Sequence, residues 1–466
     1  MTLSISRFHD IILFVNNLYQ IKQYQGNKDI KVTVPGSKSI TNRALLLAAL
    51  SAKRCLLKGV LFSDDSLAML DCLSKLGFDL HIDEEQKEVT ITGCGGKIPN
   101  KKAHINVRSA GTAARFLTVV LALCDGEYTI DSSEQMKKRP MEPLISILRK
   151  LGANIECLEK EGHFPLRVSK FTSPKNLSFL SVTVDTELSS QFASALLIAG
   201  VAVKPGLFVT LSGSRTEGAY IRITLKMMEE FGINYKKVVK TDNESQEITH
   251  NNEKIYSVSY NDQFGISEYQ IEPDVSSACY FYAMSLLLKT NVLVRNIFPG
   301  SIQGDMNFLY LLEKMGAKMS ESAEGICLNG KETEHYYGVD VDMQNFSDQV
   351  MTLAALSVFA ETKTIIRNVS HIRRQESDRL KATLTELKRI GVSCEFIENE
   401  SGILIRPLKS LVSDYDIETY EDHRMAMAFT LIGLKTGKIK IKNPDCCAKT
   451  FVDFFDIIDS LSDGLV

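Results

Sequence analysis

Lys38, Ser39 and Arg43 crowd the start of an apolar run in the segment Pro35-Gly-Ser-Lys-Ser-Ile-Thr-Asn-Arg43. On a helix Ser39 and Arg43, four apart, share one face. Ser189, Ser190 and Gln191 put three hydrogen-bonding side chains at another such start. Arg373-Arg-Gln-Glu-Ser-Asp-Arg379 sets Glu376 three residues before Arg379, and Asp422-His-Arg424 heads a further apolar run. A helix N-terminus carries about half a positive charge and several unpaired N–H groups, so it draws anions. Serine and aspartate at such a position are ordinary N-caps. Lys38, Arg43, Arg115, Arg379 and Arg424 are not, because a cation there opposes the dipole. Their recurrence points to a cleft for a ligand with more than one negative charge. The 35–43 segment is not a nucleotide-binding P-loop, since the GxxxxGK[ST] spacing is absent.

The elements that carry these residues repeat. Long Ala-rich helices are expected over 37–51, 109–126, 189–206, 273–289, 347–363 and 421–437. A second helix series closes on Gly77, Gly152, Gly232, Gly316 and Gly391, each followed by a short β-like run. Glycine suits a left-handed helix C-cap because it has no Cβ. The pattern reads as six copies of a unit with two helices and several strands, three copies in each half. The sixth copy ends on its helix, and the alternating run 30–34 is available to supply one of its missing strands. The expected domains are therefore 36–273, and 1–35 together with 274–466. The chain would cross between them near Pro35 and Pro273, where proline restricts the backbone.

Bulk properties narrow the classes. The 466 residues suit two or three domains, and 44% hydrophobic with 24% charged residues supports sizeable cores. A net charge of −3 gives no global attraction for nucleic acid. The ten cysteines lack metal-ligand spacing, which fits reduced thiols and a cytoplasmic location. The apolar run 11–15 is too short for a signal segment or membrane span. Residues before Asp29 read as an extension, and 240–255 as a surface loop or hairpin.

Ten segments carry a resemblance: PGSKSITNRA (35–44), SAGTAARFL (109–117), KRP (138–140), SSQF (189–192), EPDVSSACYF (272–281), SIQGDM (301–306), SDQVMT (347–352), RRQESDRL (373–380), EDHRMAMA (421–428) and AKTF (448–451). In this order they resemble the EPSP synthase (3-phosphoshikimate 1-carboxyvinyltransferase) family of enolpyruvyl transferases. The resemblance implies an α/β fold: a two-domain inside-out barrel of six repeats, three per domain, with the active site in the interdomain cleft. It implies transfer of the carboxyvinyl group of phosphoenolpyruvate to the 5-hydroxyl of shikimate 3-phosphate, with release of phosphate. By motif match, Lys38, Gly111, Arg139, Gln191, Arg379, Arg424 and Lys449 would hold phosphoenolpyruvate. Lys38, Ser39, Arg43, Ser189, Ser190, Gln191, Tyr220, Asp348 and Gln375 would hold shikimate 3-phosphate. Glu376 matches the family's acid and Asp348 its base, with Lys38 a further candidate for proton transfer. No metal, cofactor, nucleic acid or membrane partner is implied, and the chain is expected to be a monomer. Without a bridging anion the cations of the two halves should repel, so the halves are expected to stand apart.

Several positions depart from the family pattern. Gln375 stands where many members have Lys; Arg374 beside it, if helical, would point about 100° away. His371 replaces a common Asn, and Ser109 another. The run 214–220, SRTEGAY, leaves the usual phosphate-binding Ser unassigned: Ser214 and Thr216 are candidates, and Glu217 would repel phosphate. Phe116 replaces Pro and is expected to alter packing beneath Gly111, weakening inhibition by glyphosate. His423 reads as structural or supporting, because two carboxylates already serve the chemistry. The sister enzymes acting on UDP-N-acetylglucosamine have Lys-Asn at the position of Lys38-Ser39 and a reactive Cys in the loop that here, over 125–139, has none. A non-catalytic binding paralogue is disfavoured by the presence of both Asp348 and Glu376.

Overall fold

The computed structural model describes residues 18–462 apart from 27, 172–178, 239–252, 398, 400 and 409. Most of 240–255, and the run 11–15, lie outside the described residues. Six long helices carry little but apolar side chains: Lys38–Leu50, Gly111–Ala122, Ser190–Ala199, Val275–Leu288, Val350–Ser357 and His423–Thr436. A helix apolar on all sides belongs inside a core, and these six are buried along nearly their whole length. The other series is two-faced. Glu142–Lys150, for example, buries Leu144, Ile145 and Leu148 and leaves its charges to solvent. Gly77, Gly152, Gly232, Gly316 and Gly391 all take positive φ, as the C-cap reading requires.

Among the described residues the strands form six small sheets, five of four strands and one of three. Each four-stranded sheet joins an antiparallel hairpin to a strand that pairs in parallel. Lys102–Asn106 runs parallel to Glu127–Asp131, with the long helix Gly111–Ala122 between them in sequence. The fold is thus mixed α/β, with each repeat's strand leading into the start of its long helix.

Two of those leading strands are exchanged between the halves. Ile30–Val32 pairs in parallel with Asn291–Arg295, whereas Glu268–Gln270 pairs with Arg54–Lys58. The run 30–34 therefore completes the fourth sheet, not the sixth as expected. The reason is supply: the strand just before helix Val275–Leu288 has gone to the first sheet, and Ile30–Val32 fills its place. The sixth sheet takes Leu18–Gln20, antiparallel to Ile439–Lys442, from the stretch read as an extension. One core gathers Ile40 through Ile271; the other gathers Ile21–Val34 with Val275 through Leu461.

The two crossing segments lie side by side. Gly36 bridges Pro273, Ser37 N–H donates to the Glu272 carbonyl at 2.8 Å, and Asp274 N–H to the Pro35 carbonyl at 2.8 Å. A Cβ on Gly36 would fall 2.0 Å from the Gly59 carbonyl oxygen, so only glycine lets the strands pass. This crossing delivers Lys38 to the first half at the floor of the cleft.

Candidate active site

Helix starts from both cores meet at the cleft. Ser189 Oγ caps Gln191 N at 3.2 Å, and Asp422 caps Arg424 N at 3.0 Å. Other cleft residues come from turns: Asp348 from 344–349, Gln375 and Glu376 from the turn before helix Arg379–Arg389, and Lys449 from 444–449. No α-helix runs through 373–378. Asp378 caps Lys381 N at 3.1 Å, so the helix begins only at Arg379. Arg374 then ends a short 3-10 turn and lines the cleft, so the helical-wheel argument against it lapses.

In the second half, arginines are saturated with carboxylates. Arg379 donates to Asp348 at 3.0 Å, Glu376 at 2.9 Å and Asp422 at 2.8 Å, and also to the Gln375 amide oxygen. Arg424 Nη2 donates to Asp348 Oδ2 at 2.8 Å. Tyr220, from the first half, donates its hydroxyl to the same oxygen. Burial pushes the Asp348 carboxyl up, but Arg424, Arg379 and the Tyr220 hydroxyl outweigh it, and the group lies below its usual range. Glu376 follows the same balance. Burial raises it, while Arg379, Lys449, Arg139 and Lys38 together hold it well below 4.5. Asp305 behind them goes the other way. Burial and the Asp348 charge push it up to about 6, with Ser276 Oγ at 2.7 Å and Gln349 Nε2 at 3.2 Å as neutral donors.

The first half is the opposite: its arginines are buried with neutral partners. Arg43 donates to Thr224 Oγ1 at 2.8 Å, the Ser39 carbonyl at 2.9 Å, Ser194 Oγ at 3.1 Å and the Tyr220 carbonyl at 3.4 Å. Burial draws its pKa down to about 10. Arg115 donates to the Gly111 carbonyl at 2.9 Å, and burial and then Arg139 pull it well below its usual range. The buried Nε atoms of Arg115 and Arg139 have no hydrogen-bond partner. A Cβ on Gly111 would stand 2.8 Å from Arg115 Nη1 and 2.9 Å from Arg139 Nη1. Glycine there lets both guanidiniums close on the backbone. One wall of the cleft thus carries buried arginines with neutral partners, and the other a carboxylate–arginine network.

The two halves touch across the cleft. Lys449 Nζ donates to the Ser109 carbonyl at 3.1 Å, and Gln344 Nε2 to Ser214 Oγ at 2.8 Å. Asp65, buried at the cleft, lies 3.3 Å from Lys38 and 3.9 Å from Lys449, and Glu376 lies 4.0 Å from Lys449. Carboxylates between the cations let the walls meet.

Every residue expected at the site lines this cleft or adjoins it: Lys38, Ser39, Arg43, Gly111, Arg139, Ser189, Ser190, Gln191, Tyr220, Asp348, Gln375, Glu376, Arg379 and Arg424 line it, and Lys449 abuts Glu376. Ser214 is taken by Glu187 at 2.6 Å, and Glu217 pairs with Lys237 at 2.8 Å on the exposed surface. Arg215, between them, turns into the cleft instead. Its buried Nε makes no hydrogen bond and lies 3.8 Å from Glu187, while its Nη2 donates to the Thr186 carbonyl. Sequence reading missed Arg215 and Asp65. The departure at 214–220 marked the first, whereas Ser63-Asp-Asp-Ser66 looks like any helix start. His371 accepts or donates at 2.8 Å to Ser347 Oγ, and burial, then Arg215, bring its pKa to about 3. His423 is buried with both ring nitrogens unpartnered, and burial followed by Lys38 and Arg424 keeps it neutral.

Among the described residues no group of three or more His, Cys, Asp or Glu side chains could hold a metal ion, and no helix is long and apolar enough to cross a membrane.

Comparison with known proteins agrees with this geometry. A family model described as EPSP synthase (3-phosphoshikimate 1-carboxyvinyltransferase) matches residues 23–458. A 3-phosphoshikimate 1-carboxyvinyltransferase of Nostoc sp. (strain PCC 7120 / SAG 25.82 / UTEX 2576) is 36% identical over 427 residues, 92% of this chain and 95% of its own. One from Vibrio atlanticus (strain LGP32) is 36% identical over 433 residues, 93% of this chain and 96% of its own. A solved EPSP synthase structure from Acinetobacter baumannii superposes with a TM-score of 0.74 at 24% identity, covering 95% of this chain and 98% of that one.

Proposed function

The chain belongs to the EPSP synthase family, and we infer that this cleft is where it moves the carboxyvinyl group of phosphoenolpyruvate onto the 5-hydroxyl of shikimate 3-phosphate, releasing phosphate. The observation that carries the reading is the pair of carboxylates, Asp348 and Glu376, on one guanidinium, Arg379, facing a wall of cations with neutral partners. Phosphoenolpyruvate is held by Lys38, the Gly111 backbone, Arg139, Gln191, Arg379, Arg424 and Lys449. Arginine grips carboxylate or phosphate with two parallel N–H groups, and lysine serves as a point charge. Arg379 and Arg424 already bind protein carboxylates, so the ligand must share them. Shikimate 3-phosphate is held by Lys38, Ser39, Arg43, Ser189, Ser190, Gln191, Tyr220, Asp348 and Gln375. Arg215 joins this set. It supplies the charge that Gln375 lacks, from the opposite wall.

In the addition step Asp348, ionised beside its two arginines, accepts the 5-hydroxyl proton. The freed oxygen bonds to C2 of phosphoenolpyruvate while Glu376 gives a proton to the C3 methylene, forming a tetrahedral adduct. In the elimination step a methyl proton returns to a carboxylate, the C2–O bond to phosphate breaks, and the vinyl ether remains on the sugar acid. Such acid–base steps contribute about 10²–10⁴-fold each. Ten free thiols favour a cytoplasmic enzyme. The cores on either side of the 35–37 and 271–274 crossings correspond to the two domains, with long helices inside and sheets outside.

Phosphate release tests the acceptor. It should require shikimate 3-phosphate and phosphoenolpyruvate together, and UDP-N-acetylglucosamine should not substitute. Release with the nucleotide sugar alone as acceptor would move the chain to the sister activity, and binding of both ligands without release would make it a non-catalytic paralogue.

A further inference from the structure

Arg43 is an unusual cation for a protein interior. It is 2% exposed, yet the acceptors of its four hydrogen bonds are two hydroxyls and two carbonyls. Arg379, equally buried, has three carboxylates around it. What Arg43 has instead is aromatic: its Cζ lies 5.3 Å from the Phe116 ring centroid and 5.9 Å from that of Tyr220. The arrangement recurs one repeat later, where Arg115 lies 5.8 Å from the Phe192 ring. In both cases the ring comes from the next long helix. An aromatic face stabilises a guanidinium more strongly once water is excluded, and unlike a carboxylate it does not neutralise the charge. The ring thus leaves Arg43 positive toward the cleft, which it lines beside Ser39, Ser190 and Tyr220.

We propose that Phe116 is a positioning residue for shikimate 3-phosphate, acting through Arg43; this rests on the reading above that Arg43 holds that substrate. Four of the five guanidinium N–H groups are fixed by the protein, and the Phe116 ring covers the guanidinium and keeps water from it. The anion then meets a dehydrated, oriented donor. With an aliphatic side chain at 116, water or a tilted guanidinium would compete with the ligand. The ring's cationic contact is Arg43, so the effect should fall on shikimate 3-phosphate, in place of the phosphoenolpyruvate-site effect expected from packing beneath Gly111.

The test compares Michaelis constants for both substrates in wild type, Phe116→Leu and Phe116→Met, which lack the ring at similar volume, with Arg43→Lys as control. The Leu and Met variants should raise KM for shikimate 3-phosphate about tenfold and leave KM for phosphoenolpyruvate within about twofold. A general loosening of the fold would move both constants together, and that result, or no change, overturns the proposal when Arg43→Lys still raises KM for shikimate 3-phosphate. If Arg43→Lys leaves that constant unchanged, the assignment of Arg43 falls instead. Should Phe116→Leu not fold, Phe116→Met, whose side chain adapts to irregular cavities, gives the same readout.

Discussion

Glu376 is proposed as an acid, yet the cations around it hold its proton off. Arg379 donates to it at 2.9 Å and Lys449 lies 4.0 Å away, and the carboxyl sits well below 4.5. To give a proton near pH 7 its pKa must rise by more than about 2.5 units, which takes over about 3 kcal/mol at 1.36 kcal/mol per unit. Phosphoenolpyruvate is able to supply that. A unit charge 4 Å away interacts by about 4 kcal/mol at an effective dielectric constant of about 20, and the ligand brings at least two such charges to the same cations. Binding of phosphoenolpyruvate beside shikimate 3-phosphate should therefore draw a proton onto Glu376. The assay is titration calorimetry in buffers of different ionisation enthalpy, in an Asp348→Asn background that slows turnover. The protein with Glu376 should take up about one proton more than the same protein carrying Glu376→Gln. The Gln form also controls for protons exchanged by the ligand's own phosphate. Equal uptake by both proteins would refute the reasoning and shift the acid role toward Lys38.

Asp348→Asn should lower kcat by about 10²–10⁴-fold, as expected for loss of a base, and retention of wild-type turnover would remove it from that role. Arg215→Ala should raise KM for shikimate 3-phosphate about 10–100-fold, the value of a charge-assisted hydrogen bond, and Gln375→Lys in the same protein should recover part of the loss. Asp305 concerns stability. Its folded pKa of about 6 exceeds the ordinary 3.8, so the unfolded chain ionises first and the fold loses stability as pH rises through that window. Asp305→Asn should accordingly stabilise by on the order of 1–3 kcal/mol above pH 6 and by nothing below about pH 3.8. Denaturant midpoints at pH 7.5 and pH 3.5 would show it, and an equal shift at both would contradict the charge argument.

The repeat, the buried helices and most of the cleft were legible because they are local in sequence. A helix start with Lys38 or Arg424 at its head announces itself, and a closing glycine such as Gly391 marks its own backbone conformation. What stayed hidden depends on the fold bringing distant segments together. Asp65 reads as an N-terminal helix residue until Lys38 and Lys449, from different parts of the chain, fall beside it. The strand Leu18–Gln20 has no meaning until Ile439–Lys442 offers it an edge. The Glu376–Arg379 spacing suits a helix or a turn, and only the Asp378 cap decides between them.

The central claim is bond formation between C2 of phosphoenolpyruvate and the 5-oxygen of shikimate 3-phosphate. Phosphoenolpyruvate labelled with ¹³C at C2 follows it directly by carbon and phosphorus magnetic resonance with the wild-type enzyme. The label should pass to a vinyl ether carbon on the shikimate ring, with one equivalent of inorganic phosphate released for each product formed. Label recovered as pyruvate beside free phosphate, or left in phosphoenolpyruvate while both ligands bind, would contradict the account.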